Sequence, residues 1–274
     1  MIPIDRVGFV VLMPSESGRV VESLPMVNAL RQQVEHSELL IMAEPDHQWI
    51  IEAAGIGDGF LPVSKPLYRM IDQVHDHMPD WLIDLRGGLT TWRFKNRLKV
   101  MDLTIRKRRG INWSNELFRL LGVFDVEAGR PSDGLIPPFF DRKKLPESFG
   151  KGYLTLFLDS DDFPQKPHES QINNLLSMTD RYVVLCGSSA MRPLADSIGS
   201  QTGCTTFVSA GDFSLVEMVS LMNDSAGVIT FDTVWKSWAA VLEKPLMTIA
   251  YNSNGIWTNP AEKLSAEILK WRIS

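Results

Sequence analysis

Short apolar, β-branched runs alternate along the chain with longer stretches whose apolar positions recur at helical spacing. The first run, Arg6 to Met13, is apolar almost throughout, as expected of a central parallel strand buried on both faces. From about Arg19 to Val34, residues Val20, Val21, Leu24, Val27 and Leu30 fall on one helical stripe. The alternation then predicts strand Glu38–Ala43, helix His47–Ala54, strand Gly59–Val63 and helix Pro66–His77. Strand Trp81–Leu85, helix Thr90–Leu98, strand Met101–Ile105 and helix Ser114–Leu121 complete the first half. This order favours a parallel sheet covered by helices.

Between Glu127 and Gly152, proline, glycine and charge accumulate (GRPSDG, PP, DRKK, GKG), which reads as a linker. The alternation restarts with strands Tyr153–Leu158, Tyr182–Cys186, Thr205–Val208, Gly227–Phe231 and Leu246–Ala250. The intervening helices are Glu169–Met178, Ala190–Ser200, Leu215–Met222 and Thr233–Leu242, with a last one from Pro260 to about Trp271. The expectation is α/β with two Rossmann-like doubly wound domains, 1–140 and 141–274, and a cleft between them. Parallel sheets bind ligands at the carboxyl ends of their strands, so two such halves suit transfer of a group from a nucleotide donor to an acceptor.

Composition narrows the class. The 274 residues are 44% hydrophobic, enough for a core in each half, and carry 28 Lys+Arg against 33 Asp+Glu, a net charge of −5. Mild acidity argues against a nucleic-acid binder, and the cluster Arg106-Lys107-Arg108-Arg109 is local. That cluster is either a solvated face or a contact for anionic lipid headgroups or a phosphorylated glycan. The two cysteines, Cys186 and Cys204, lack metal-ligand spacing and fit a reducing cytoplasm, and His75, His77 and the other histidines show no ligand spacing either. The amino-terminal apolar run is too short to span a bilayer and reads as a strand, not a signal peptide.

The segment Gly227–Pro245 is the most informative. A strand ends in Asp232-Thr233 and a helix starts at once. That helix start can hold a diphosphate, or Asp232 can simply cap it. Gly187-Ser188-Ser189, after another strand, offers amides and hydroxyls to a nucleotide, or forms a turn with a serine cap. Asp159-Ser160-Asp161 is either a metal-binding pair or an ordinary acidic loop. The glycines at 55, 57 and 59 follow a helix and enter a strand, the reverse of a dinucleotide fingerprint, whereas Arg86-Gly87-Gly88 is a well-placed turn. Trp92, Trp113, Trp235, Trp238 and Trp257 either line a sugar-binding surface or fill the core.

The chain resembles the heptosyltransferases, glycosyltransferase family 9, of GT-B fold. The family's Asp-Ser/Thr-Gly-x-x-His-x-Ala-Ala motif and following Lys-Pro match Asp232, Thr233, Ala239, Ala240, Lys244 and Pro245. Its Ser-Leu-x-Glu resembles Ser214-Leu215-Val216-Glu217. Its glycine, proline and Leu-Arg start is similar to Gly18, Leu24-Pro25 and Leu30-Arg31, and its Asp-Leu-x-Gly strand end to Asp84-Leu85-Arg86-Gly87. The resemblance implies a cytoplasmic inverting transferase of lipopolysaccharide biosynthesis, without metal or cofactor. It would move a sugar, such as a heptose, from a nucleotide-diphosphate donor to a glycan, lipid-linked or protein acceptor. Peripheral contact with the inner membrane is compatible with it.

By the same resemblance Lys166 faces the donor diphosphate, alongside Ser188, Glu217, Asp232, Thr233 and Ser237. Departures fall at the working positions: the motif glycine is Val234, the histidine Ser237, and the aspartate that serves the family as general base is Arg19. Glu16 and Glu22 are then the candidate bases, with Arg19 a candidate contact for an acidic acceptor. The alternatives are a catalytically inactive relative that binds a nucleotide sugar or partner protein, and an oxidoreductase, against which the missing fingerprint speaks.

Overall fold

The computed structural model describes residues 6–105, 113–127, 135, 137–150, 152–159 and 169–249. The chain divides into two compact units, Met1–Ile136 and Pro137–Ser274.

Unit 1 holds a five-stranded parallel sheet of β1 (Val7–Leu12), β2 (Ser37–Ala43), β3 (Gly59–Pro62), β4 (Trp81–Asp84) and β5 (Met101–Thr104), in the order β3-β2-β1-β4-β5. The most apolar strand is central: β1 pairs with β2 from Val7↔Ser37 and with β4 from Phe9↔Trp81. The helices are α1 (Ser17–Gln33), α2 (Gln48–Ala54), α3 (Ile71–His75), α4 (Leu89–Leu98) and α5 (Trp113–Leu121). On one face of the sheet Leu67, Met70 and Val74 join Phe94 and Leu98 of α4 over Val10, Leu12, Leu40 and Leu82.

The helix expected over Pro66–His77 is instead a 3₁₀ turn, Leu67–Arg69, followed by the short α3. Leu67 and Met70 are three apart and both face the core, a spacing that a three-residue turn stacks directly.

Unit 2 repeats the arrangement with β6 (Leu154–Phe157), β7 (Val183–Cys186), β8 (Thr206–Val208), β9 (Gly227–Thr230) and β10 (Leu246–Thr248), ordered β10-β9-β6-β7-β8. Its helices are α6 (Glu169–Leu176), α7 (Arg192–Gln201), α8 (Leu215–Asp224) and α9 (Thr233–Val241). In chain order within each unit, both sheets run third-second-first-fourth-fifth. β6, the counterpart of β1, pairs with β7 from Leu154↔Val183 and with β9 from Leu154↔Gly227.

The segment read as a linker is packed structure in its second part. Phe140 stands edge-on to Phe213 at 5.5 Å, and Phe149 lies 4.8 Å from Tyr182. Arg142 pairs with Asp224 at 2.5 Å, and Lys144 pairs with Glu217. Aromatic anchors among the prolines and charges supply the burial that a Pro/Gly count overlooks. The predicted helix from Pro260 lies outside the described residues, as do Trp257 and the basic cluster at 106–109.

Candidate functional site

In each unit the strand order reverses beside the central strand, so the loops leaving β1 and β4, and those leaving β6 and β9, flank a switch point where parallel sheets hold ligands. The chain leaving β1 and β9 and the helices that follow carry Glu16, Arg19, Glu22, Asp232, Thr233 and Ser237, whereas Ser188 follows β7 and Glu217 lies on α8.

In unit 1, the chain leaving β1 carries Glu16 and opens α1 at Ser17. The Glu16 carboxylate and Arg19 form an ion pair at 2.6 Å, and the Arg19 guanidinium lies 5.0 Å from the ring centre of Trp113. Glu16 and Arg19 are thus brought together, whereas Glu22 is half-buried one turn further along α1. The other side of the switch point is a built turn. Asp84, fully buried at the end of β4, accepts the amides of Arg86 at 3.0 Å and Gly87 at 2.8 Å. Gly87 and Gly88 take φ of 66° and 105°, which suits residues without a Cβ. Arg86 then pairs with Glu44, beyond β2, at 2.9 Å and donates from Nε to the Met13 carbonyl at 3.3 Å.

His47 was not reached from the sequence. It is buried beyond β2, and its Nε2 lies 3.0 Å from Ser17 Oγ at the start of α1. Burial first, and Arg86 after it, lowers its pKa against the opposing pull of Glu44 and Asp46. Ligand spacing along the chain could not expose it, because what unites His47, Ser17 and Arg86 is the shared carboxyl edge of β1, β2 and β4. A cleft of about 360 Å³ opens at this edge, lined among others by Glu44, Ser64, Lys65, Arg86 and Thr90.

In unit 2, register places the loops after β6 and β9 side by side, since Phe157 pairs with Thr230. Asp232 is buried and caps α9, accepting the Val234 amide at 2.6 Å and the Trp235 amide at 3.4 Å. Two of the amides that would greet a phosphate at this helix start are therefore already engaged. Thr233 is exposed beside the cap; Val234 is half-buried, and Ser237 is buried one turn on. Trp235 and Trp238 are core residues rather than surface aromatics: Trp235 stacks on Phe157 at 4.2 Å, and Trp238 is fully buried. Trp92, by contrast, is exposed.

Ser188 follows β7, and both its donors go to Asp159 beyond β6: the amide to Oδ2 at 2.6 Å, the hydroxyl to Oδ1 at 2.7 Å. Gly187 permits this, since a Cβ there would sit 3.2 Å from Asp159 Oδ2 and 3.1 Å from Met191 Cβ. The Ser188 hydroxyl therefore clamps two loops together instead of capping the next turn. Glu217 completes a capping box with Ser214 at the start of α8. Its pKa is lowered from the ordinary carboxylate value because Lys144 hydrogen-bonds it and the Ser214 amide donates to it. Lys166, Ser160 and Asp161 lie outside the described residues.

The fold is that of the GT-B glycosyltransferases. A glycosyltransferase of family 9 from Veillonella parvula matches with a TM-score of 0.69 at 14% identity, over 89% of this chain and 80% of that one. The E. coli heptosyltransferase WaaC, in a structure with ADP, matches with a TM-score of 0.69 at 15% identity, over 93% and 89% of the two chains. A putative UDP-N-acetylglucosamine 2-epimerase from Listeria monocytogenes follows with a TM-score of 0.60 at 15% identity, over 98% and 88%. No sequence-family model matches the chain. No curated protein matches it by sequence.

Proposed function

We propose that this GT-B chain is a divergent glycosyltransferase of the heptosyltransferase kind. It moves a sugar from a nucleotide-diphosphate donor to a hydroxyl of a glycan, lipid-linked or protein acceptor, with inversion at the anomeric carbon. The observation that carries this reading is the repeated switch point: the same strand order in both units, each with charged and hydroxyl side chains collected at its carboxyl edge. The likeness to WaaC, a heptosyltransferase captured with ADP, supports it.

In this reading unit 2 binds the donor. Glu217 and Ser188 contact the nucleotide. Lys166 and the α9 start, with the Thr233 hydroxyl, meet the diphosphate, while Asp232 and Ser237 hold that helix start in place. The acceptor oxygen bonds to the anomeric carbon as the carbon–oxygen bond to the donor phosphate breaks, and the electron pair leaves on the diphosphate. The acceptor proton passes to Glu16, which Arg19 holds at 2.6 Å, with Glu22, on α1, the second candidate base. Charge on the leaving group is met by Lys166 and the helix start rather than by a metal ion.

A second reading has a specific observation behind it. Glu16 is tied to Arg19, and Ser188 and the α9 amides are tied to Asp159 and Asp232, as in a binding protein without turnover.

Calorimetry with ADP, UDP and GDP, followed by sugar-nucleotide consumption with a glycan extract, tests both. One diphosphate binds, and Lys166→Ala weakens it roughly 10- to 100-fold, the value of one charge-assisted hydrogen bond. Binding without consumption favours the silent relative. Absence of any diphosphate binding overturns both.

A further inference from the structure

We propose that the outward face of α4, together with the 3₁₀ turn before α3, is a docking surface for the anionic headgroups of a phospholipid bilayer. Thr91, Phe94 and Leu98 turn α4 toward the core. Leu89, Trp92, Arg93, Asn96 and Arg97, spaced three and four apart, share the opposite face. Leu89 is 66% exposed and Trp92 54%. The apolar pair sits at the amino-terminal end of the helix, and the arginines follow. Tyr68, 45% exposed, extends the patch; the guanidinium groups of Arg69 and Arg97 lie 5.7 and 5.9 Å from its ring centre.

Leu89, Trp92 and Tyr68 stand exposed together among arginines, a grouping that favours a contact. Charge selects the occupant. Arg69, Arg93, Arg97 and the exposed Lys65 face solvent, against two exposed carboxylates at the neighbouring α3, Asp72 within it and Asp76 at its end. Lys95 is set apart, paired with Asp102 at 2.6 Å. One leucine and two aromatic rings, ringed by cations, suit the shallow headgroup layer of an anionic membrane better than a protein groove. The face also shares Lys65, and through Thr90 the start of α4, with the 360 Å³ cleft. A headgroup-linked molecule would therefore be presented at the edge of that cleft. The proposal stands whether or not the chain transfers sugars.

Co-sedimentation of the full chain with vesicles tests it. The protein pellets with phosphatidylcholine vesicles containing phosphatidylglycerol, not with phosphatidylcholine alone, and added salt releases it. The double variant Arg93→Gln/Arg97→Gln lowers the partition coefficient roughly 30-fold, at about fivefold per charge. Trp92→Ala lowers it too, and removes part of the fluorescence blue shift on binding. Melting curves of the variants match the parent, since these side chains are exposed. Equal pelleting with neutral vesicles, absence of pelleting, unchanged partition of the variants, or release by glycerol phosphate would each overturn the proposal. The readout involves no turnover, so it fails or holds independently of the transferase reading.

Discussion

Single residues decide how the chemistry at the sheet edges is wired. His47 is the plainest case, an imidazole buried behind the start of α1 whose Nε2 meets Ser17 Oγ. Its pKa is lowered in the folded chain, chiefly by burial. The unfolded chain therefore binds the proton more readily, and stability must fall as pH drops through the ordinary histidine range toward the lower folded value. Above that range the imidazole is neutral in both states and contributes no slope. Thermal melts between neutral and mildly acidic pH should show this loss in the parent and a shallower one in His47→Gln. Equal slopes would refute the assignment. Arg19 is a second case. At the position where the resemblance expects a proton acceptor stands a cation, and the nearest acid, Glu16, is bound to it.

At the scale of elements, sequence patterning worked well wherever one period dominated. Among the described residues, the ten strands and the helices α1, α2 and α4 to α9 lie where the alternation of apolar runs put them, with ends shifted by a few residues. It failed where tertiary contacts overrode the local signal. Pro66–His77 carries a helical pattern, yet Leu67 and Met70 stack as a 3₁₀ turn. The stretch after Pro137 carries linker composition, yet Phe140 and Phe149 fasten it down. The sequence showed Asp232 as a cap or a phosphate-site residue without choosing; the side chain takes two amides of α9. Asp232→Ala should cost about 1–2 kcal/mol, seen as a lower urea midpoint with unchanged slope. Thr233→Ala, at the exposed position beside it, should lower the midpoint less than Asp232→Ala.

For the whole molecule, the doubly wound plan was legible because each apolar run was followed by an amphipathic stretch. The side-chain pairings across loops were not, since Glu44 with Arg86, Ser17 with His47 and Asp159 with Ser188 join residues 29 to 42 positions apart, that is 86 − 44, 47 − 17 and 188 − 159. Only the strand order brings each pair together at the carboxyl edge of its own sheet. If the two units divide the labour as proposed, Arg19→Ala and Glu16→Gln should leave nucleotide-diphosphate affinity unchanged by calorimetry while sugar-nucleotide consumption falls at least roughly tenfold. Loss of affinity in either variant would place the donor on unit 1 and break the assignment.

The central position of β1 and β6 also bears on synthesis. Each is the first strand of its sheet to leave the ribosome, yet each needs a neighbour from far downstream: β1 pairs with β4 from Phe9↔Trp81, and β6 with β9 from Leu154↔Gly227. The nascent chain thus carries VGFVVL with one edge open while some seventy further residues are translated, counting 81 − 9 = 72. During that interval this apolar segment is a natural client for a ribosome-associated chaperone.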